Sequence, residues 1–290
     1  MNEPSLAADQ LHWIDDLLGR TGAGERLGVR VHRDMPWALV AEIQTGSGSV
    51  WFKENRGEFR YEGALLQLLG SAVPDKVLVP LATSDERAWL LLPDGGPDAE
   101  AAGIPTSAVV DRMIEIQRAM APRVDAMLEA GVPDMRPGRL PDVVDRVIEH
   151  PGGRAWADRL SQNRAAIAAI CEELAADSTA TLVDTDLQPR HAFAGPPIRL
   201  FDWADAVVSH PLCSIRPDGE DETERIADAW GHRVDHHLVH IGRILDVILR
   251  LAVWMREPSG TAERHPDAIP YWSERLTVLV DSARSGADRG

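Results

Sequence analysis

Leu182-Val183-Asp184-Thr185-Asp186-Leu187-Gln188-Pro189-Arg190-His191-Ala192-Phe193, with Leu200-Phe201-Asp202-Trp203-Ala204-Asp205 shortly after it, is the stretch that decides the fold. Thr181-Leu182-Val183 is a short apolar run of strand type, and a polar loop follows it at once. Ile198-Arg199-Leu200-Phe201 is a second such run, and it ends on Asp202. A strand, a polar loop, a short hairpin and an Asp just past an apolar strand are expected to bring the Asp186 and Asp202 carboxylates together.

Upstream, the first third reads as strands plus one helix. Trp37 to Ile43 and Val50 to Lys53 flank the turn Thr45-Gly46-Ser47-Gly48-Ser49, a hairpin signature. Tyr61, Leu65, Leu68 and Leu69 recur at helical spacing and predict a helix from Phe59 to Leu69. Val77 to Ala82 and Arg87 to Leu92 predict a second hairpin around Thr83-Ser84-Asp85-Glu86. Pro93-Asp94-Gly95-Gly96-Pro97 is a strong break and a candidate hinge. Beyond it helices dominate: one marked by Val109, Met113, Ile116 and Met120, then Arg154 to Leu174, Thr223 to Trp254 and Pro270 to Ala283. The expected class is α+β, in two lobes. Residues 1–93 form a β-rich N-terminal lobe, and residues 94–290 form a mainly helical one that carries the catalytic loop and the acceptor site.

Composition narrows the function classes. A hydrophobic content of 44% can build a substantial core. The formal net charge of -16 argues against a duplex-binding protein, which needs a basic face for phosphates, and it favours a cationic small molecule. Cys171 and Cys213 have no metal-ligand spacing, so a reducing cytoplasm is the expected home. Ile244 to Trp254 is interrupted by Asp246 and Arg250, so no membrane span is expected.

Paired carboxylates after strands suit phosphoryl transfer. One orients the attacking hydroxyl and takes its proton, and the other holds the metal that neutralises phosphate charge. The two segments resemble the catalytic loop and metal-binding motif of the aminoglycoside phosphotransferase and choline kinase-like family, which has a protein-kinase-like fold. That pattern is His-Gly-Asp-Leu-His-x-x-Asn, then Ile/Phe-Asp-Trp-Gly-Asp. The resemblance puts Asp186 on the catalytic Asp, Asp202 on the metal-binding Asp and His191 on the second metal ligand. It implies that Lys53, at the end of Val50-Trp51-Phe52-Lys53, holds the α- and β-phosphates of ATP with Glu62 bracing it. Trp89 to Gly96 is similar to the family's strand into the hinge, so Leu92 and Asp94 are expected beside the adenine. The implied function is an ATP- and Mg2+-dependent transfer to a hydroxyl of an aminoglycoside-, sugar- or amino-alcohol-like acceptor. Two alternatives stay open. One is a degenerate fold that binds nucleotide or a partner without turnover, and the other is a kinase for Ser or Thr of a natural-product peptide. Oligomeric state is not legible.

Three positions depart from the pattern. Asp184 stands for the family's His, and His191 for its Asn. The phosphate-covering loop, His32-Arg33-Asp34-Met35-Pro36-Trp37, has no glycine. Imidazole suits softer ions, so the His191 change points to Mn2+ as the alternative to Mg2+. Asp184 is expected to offer an oxygen to the metal or to replace a structural hydrogen bond. Asp228, His232, His236 and His240 recur every four residues on the expected Thr223–Trp254 helix, where a polar face is the plainer reading than a metal site.

Overall fold

The computed structural model describes residues 5–22, 24–150, 154–214, 220–233, 236–256 and 265–287. By internal contacts the chain forms two compact units. Met1–Ile104 and Pro189–Ala204 belong to the first; Pro105–Gln188, Asp205–Arg256 and Ala262–Gly290 belong to the second.

The first unit is built on five antiparallel strands: β1 (Arg26–Asp34), β2 (Ala38–Thr45), β3 (Gly48–Asn55), β4 (Ala82–Ser84) and β5 (Trp89–Pro93), ordered β1-β2-β3-β5-β4. Gly46 and Ser47 join β2 to β3, as the Gly/Ser turn predicts, and Thr45 Oγ1 donates to the Gly48 carbonyl at 2.8 Å. A helix that the sequence reading did not include, α1 (Ala8–Thr21), lays Ile14 and Leu18 on the sheet against Leu39, Ala41, Ile43 and Phe52. Trp13 adds edge contacts to Phe52 and Trp89, at 6.0 and 5.7 Å between ring centres. Each such buried Leu, Ile or Phe contributes about 1.5–3 kcal/mol. The helix expected over Phe59–Leu69 begins later, as α2 (Glu62–Ala72), after a single 3-10 turn at Gly57–Phe59.

Two expectations need correction. Of the strand expected over Val77–Ala82, only Ala82 enters the sheet; Val77 instead bridges Leu200, and Leu78 N–H donates to the Leu200 carbonyl at 3.1 Å. Pro80 has no N–H to give a ladder, which ends pairing between the two halves. Likewise half of the loop expected over His32–Trp37 is strand. β1 runs to Asp34 with a register shift between Val31 and Arg33, and only Met35–Trp37 lie between β1 and β2.

Past β5, Gly96 takes φ +85°, a conformation open to glycine. Gly95 packs against the two-strand hairpin of β7 (Ala192–Phe193) and β8 (Arg199–Leu200), so closely that a Cβ at Gly95 would overlap the Phe193 ring. Phe193 is itself stacked on Phe201 at 4.2 Å, so it has little room to yield. Gly95→Ala is therefore expected to cost about 1–3 kcal/mol in chemical denaturation, and adding Phe193→Leu should recover part of that loss.

The second unit is mainly helical: α3 (Thr106–Met120), α4 (Val124–Glu129), α5 (Leu140–Glu149), α6 (Arg154–Ala175), α7 (Glu220–Ala229), α8 (His236–Arg256) and α9 (Ala268–Ala287). A short antiparallel pair, β6 (Thr181–Asp184) and β9 (Ala206–Ser209), crosses it in register from Thr181↔Ser209 to Asp184↔Ala206. Ile244, Leu245, Ile248 and Leu249 of α8 are fully buried. The single helix expected over Thr223–Trp254 is two, because α7 stops in a Schellman motif. Gly231 has φ +76°; its N–H reaches Asp228 O at 3.0 Å, and the His232 N–H reaches Ala227 O at 2.9 Å. His232 thus leaves the helical face it was expected to share with His236 and His240. Among the described residues, no helix is long and apolar enough to cross a membrane.

Candidate active site

In the first unit, β3 ends by turning Lys53 inward, where its side chain is only 9% exposed. Its Nζ stands 2.6 Å from Glu62 Oε2 and 2.6 Å from Asp202 Oδ1. Glu62 is the first residue of α2, where a carboxylate also meets the positive end of the helix dipole. Its second oxygen is held as well: Trp203 N–H donates to Oε1 at 2.8 Å, while Asn55 Nδ2 donates to Oε2 at 2.7 Å. Trp203 is fully buried and Tyr61 donates to the Ala204 carbonyl, so the segment after β8 is fastened to the start of α2.

Asp202 projects from that segment at φ +64°, a left-handed conformation that Asp tolerates better than most residues. Burial pushes its carboxyl up, but Lys53, then His191 and Arg33, more than offset this and hold it well below the usual range. Burial pushes the Lys53 ammonium down, yet Asp202 and Glu62 outweigh burial and leave it above the ordinary lysine value. Both groups are therefore charged at neutral pH. His191 ends a 3-10 turn at Pro189–His191, its ring edge-on to Phe201 at 6.1 Å. Leu92 is half-buried in β5 opposite Trp51, and Asp94 is exposed, its Oδ1 accepting the Gly96 N–H at 3.3 Å.

In the second unit, Asp186 follows β6. Asp184 Oδ1 accepts the Asp186 N–H at 3.0 Å and Thr185 Oγ1 donates to Asp205 O at 3.1 Å, so the loop is tied to its own backbone and to the start of β9. Of the two roles expected for Asp184, the structural hydrogen bond is the one its geometry displays. Gln188 Nε2 donates to Asp186 Oδ1, and Arg250 Nη1 approaches the same oxygen at 3.5 Å. Arg250 also faces Asp246 Oδ2 at 3.4 Å and lies over the Trp272 ring at 5.0 Å. Sequence reasoning missed Arg250, itself paired with Asp246, as a neighbour of Asp186. The available signal was an i, i+4 charge pair inside the otherwise apolar run of α8.

No protein-family model matches the sequence, and no curated protein matches it. Solved structures do. The GDP and kanamycin complex of the phosphotransferase APH(2")-IIIa shares 16% identity, with a TM-score of 0.64 over 94% of this chain and 99% of that one. The choline kinase LicA from Streptococcus pneumoniae gives 14%, 0.62, 93% and 99%. A type I macrolide 2'-phosphotransferase gives 13%, 0.59, 94% and 99%. The chain has the aminoglycoside phosphotransferase and choline kinase-like fold. A β-rich unit followed by a mainly helical one is the fold class that the sequence led one to expect. At these identities the likeness concerns the kinase-like fold itself.

Proposed function

We propose that this protein is a nucleotide-dependent phosphotransferase that phosphorylates a hydroxyl group of a small molecule. The observation that carries the reading is Lys53, a buried ammonium held between Glu62 and Asp202 at 2.6 Å each. A cation so placed serves the α- and β-phosphates of ATP, and Glu62 fixes its position. Leu92 and the backbone from Asp94 to Gly96 would border the adenine, with the stacked Phe193 and Phe201 rings beside them.

Asp202 would hold the divalent cation, joined by His191. A carboxylate oxygen with an imidazole nitrogen fits Mn2+ better than the all-oxygen shell Mg2+ favours. Bound there, the cation would neutralise charge on the phosphates. Asp186 would orient the acceptor hydroxyl and take its proton, with Gln188 and Arg250 fixing its carboxylate. The acceptor would be aminoglycoside-, sugar- or amino-alcohol-like; the acidic chain favours a cation, while Arg250 offsets part of that field at Asp186 itself.

Thermal shift with ATP or GTP, each with Mg2+ or Mn2+, tests the first half of this reading. Nucleotide at about 100 times Kd is expected to add about 2.7 kcal/mol, a rise of several degrees in Tm. No rise with any of the four combinations overturns it. ADP or GDP release across amino-sugars, sugars, amino-alcohols and Ser/Thr peptides tests the second half. A rise in Tm without release on any acceptor would identify a nucleotide-binding protein without turnover.

A further inference from the structure

Three side chains from distant parts of the second unit turn toward one point. Asp177 follows the end of α6, His210 follows β9, and His232 follows the Schellman end of α7. Their ligand atoms all lie within 4.8 Å of one another. Asp177 Oδ2 is 3.4 Å from His210 Nε2 and 3.5 Å from His232 Nε2. Those spacings are long for charge-assisted hydrogen bonds, which close to about 2.7–2.9 Å. They match a coordination shell instead: two donors each about 2.0–2.1 Å from a tetrahedral zinc ion stand roughly 3.4 Å apart.

We propose that Asp177, His210 and His232 form a binding site for Zn2+ or a similar borderline divalent ion, separate in its residues from the candidate active site. The carboxylate is prepared for it. Thr179 holds Asp177 Oδ1 through its N–H at 2.9 Å and its Oγ1 at 2.6 Å, which leaves Oδ2 facing the two rings. Such outer bonds fix ligand orientation in metal sites. The His210 side chain is fully buried, and its Nε2 meets no hydrogen-bond partner while pointing into the cluster. His232 is set by the backbone that caps α7, and its side chain, like that of Asp177, keeps some exposure, at 21% and 34%. That exposure gives an ion and one water ligand a route in.

One contact runs against coordination. Leu212 N–H lies 3.2 Å from His210 Nδ1, which places the ring proton on Nε2. Ligation through Nε2 needs the other tautomer, with the ring proton moved to Nδ1, so the Leu212 amide that donates to Nδ1 must then adjust; its NMR signal is therefore a local reporter. Two nitrogens and one oxygen favour zinc, cobalt or nickel over Mg2+. The ion would tie the ends of α6, β9 and α7 together.

The test is titration of the metal-stripped full chain with ZnCl2, with CoCl2 as a spectroscopic probe and MgCl2 as a control. One equivalent of Zn2+ is expected to bind, Co2+ to give a tetrahedral visible spectrum, and MgCl2 to leave the Leu212 amide unmoved. His232→Ala, at a partly exposed loop position, is expected to weaken Zn2+ about 100-fold or more, and Thr179→Ala about 10-fold through the carboxylate. Metal-free melting of each variant, matched to the metal-free parent, keeps a folding defect apart from a lost ligand. Absence of stoichiometric Zn2+, or binding unchanged in both His232→Ala and Asp177→Asn, overturns the proposal; unchanged binding would place the ion elsewhere.

Discussion

Lys53→Met is expected to abolish measurable nucleotide turnover and to destabilise the fold by about 3 kcal/mol. The two effects have different causes. Removing one partner of a buried ion pair strands the other charge, at a typical cost of about 3–5 kcal/mol. The stranded group is Glu62, whose side chain is 2% exposed. It keeps Asn55 and the Trp203 N–H, which places the loss at the lower end of that range. Asp202 is 31% exposed and keeps His191 and Arg33 as neighbouring positive charges, so its share of the loss is smaller. Turnover is expected to fall for another reason: the proposed role of Lys53 is a fixed cation at the phosphates, and loss of such a group is worth about 10²–10³-fold or more. Lys53→Met with Glu62→Gln separates the two. That pair is expected to regain most of the lost Tm while staying inactive, read by melting and ADP release. A double variant with restored stability and near-normal turnover would remove Lys53 from the phosphate site.

Asp186→Asn is the second large effect. The replacement keeps shape and removes the oxygen proposed to accept the proton, so kcat is expected to fall by about 10²–10⁴-fold. Nucleotide thermal shift should be unchanged if Asp186 serves the acceptor, as proposed. Stability should change little. Gln188 can still donate to the Asn oxygen, and Arg250 keeps Asp246 as its charged neighbour. Loss of the nucleotide shift with loss of turnover would mean that Asp186 serves the nucleotide rather than the acceptor. Turnover retained at the parent level would remove it as the base.

Much of this was legible where local sequence carries its own physics. Gly46 and Ser47 between two β-prone runs could be read as a tight hairpin because so short a link fixes the register. Lys53 and Glu62 could be paired because the family pattern joins a strand-end lysine to the next helix. Less visible were features set by packing. α1 carries an apolar stripe, Leu11, Ile14 and Leu18, but it is interleaved with Asp9, Asp15 and Asp16, and only packing on the sheet fixes it as a helix. The break after α7 was written in Gly231 as a helix-stopping glycine, but four-residue spacing of Asp228, His232, His236 and His240 suggested one continuous face. Asp246 and Arg250 stand out as charges in an apolar run, but nothing in the sequence placed Arg250 beside Asp186 or joined Asp177 to His210 and His232. Their members come from segments that only the tertiary fold makes neighbours.

The ion pair between Lys53 and Asp202 joins positions 149 residues apart in the chain. Contacts of that range close late, because the loop entropy must be overcome before the contact stabilises anything. While the protein is being synthesised, the five strands and α2 emerge long before Asp202 and Trp203 do. Until then Lys53 and Glu62 have only each other and Asn55, and the β7–β8 hairpin that packs on Gly95 does not yet exist. A chain halted near residue 104 would thus hold the whole sheet but not the second ion pair of Lys53. Maturation of the first unit is timed by the arrival of a segment encoded well downstream.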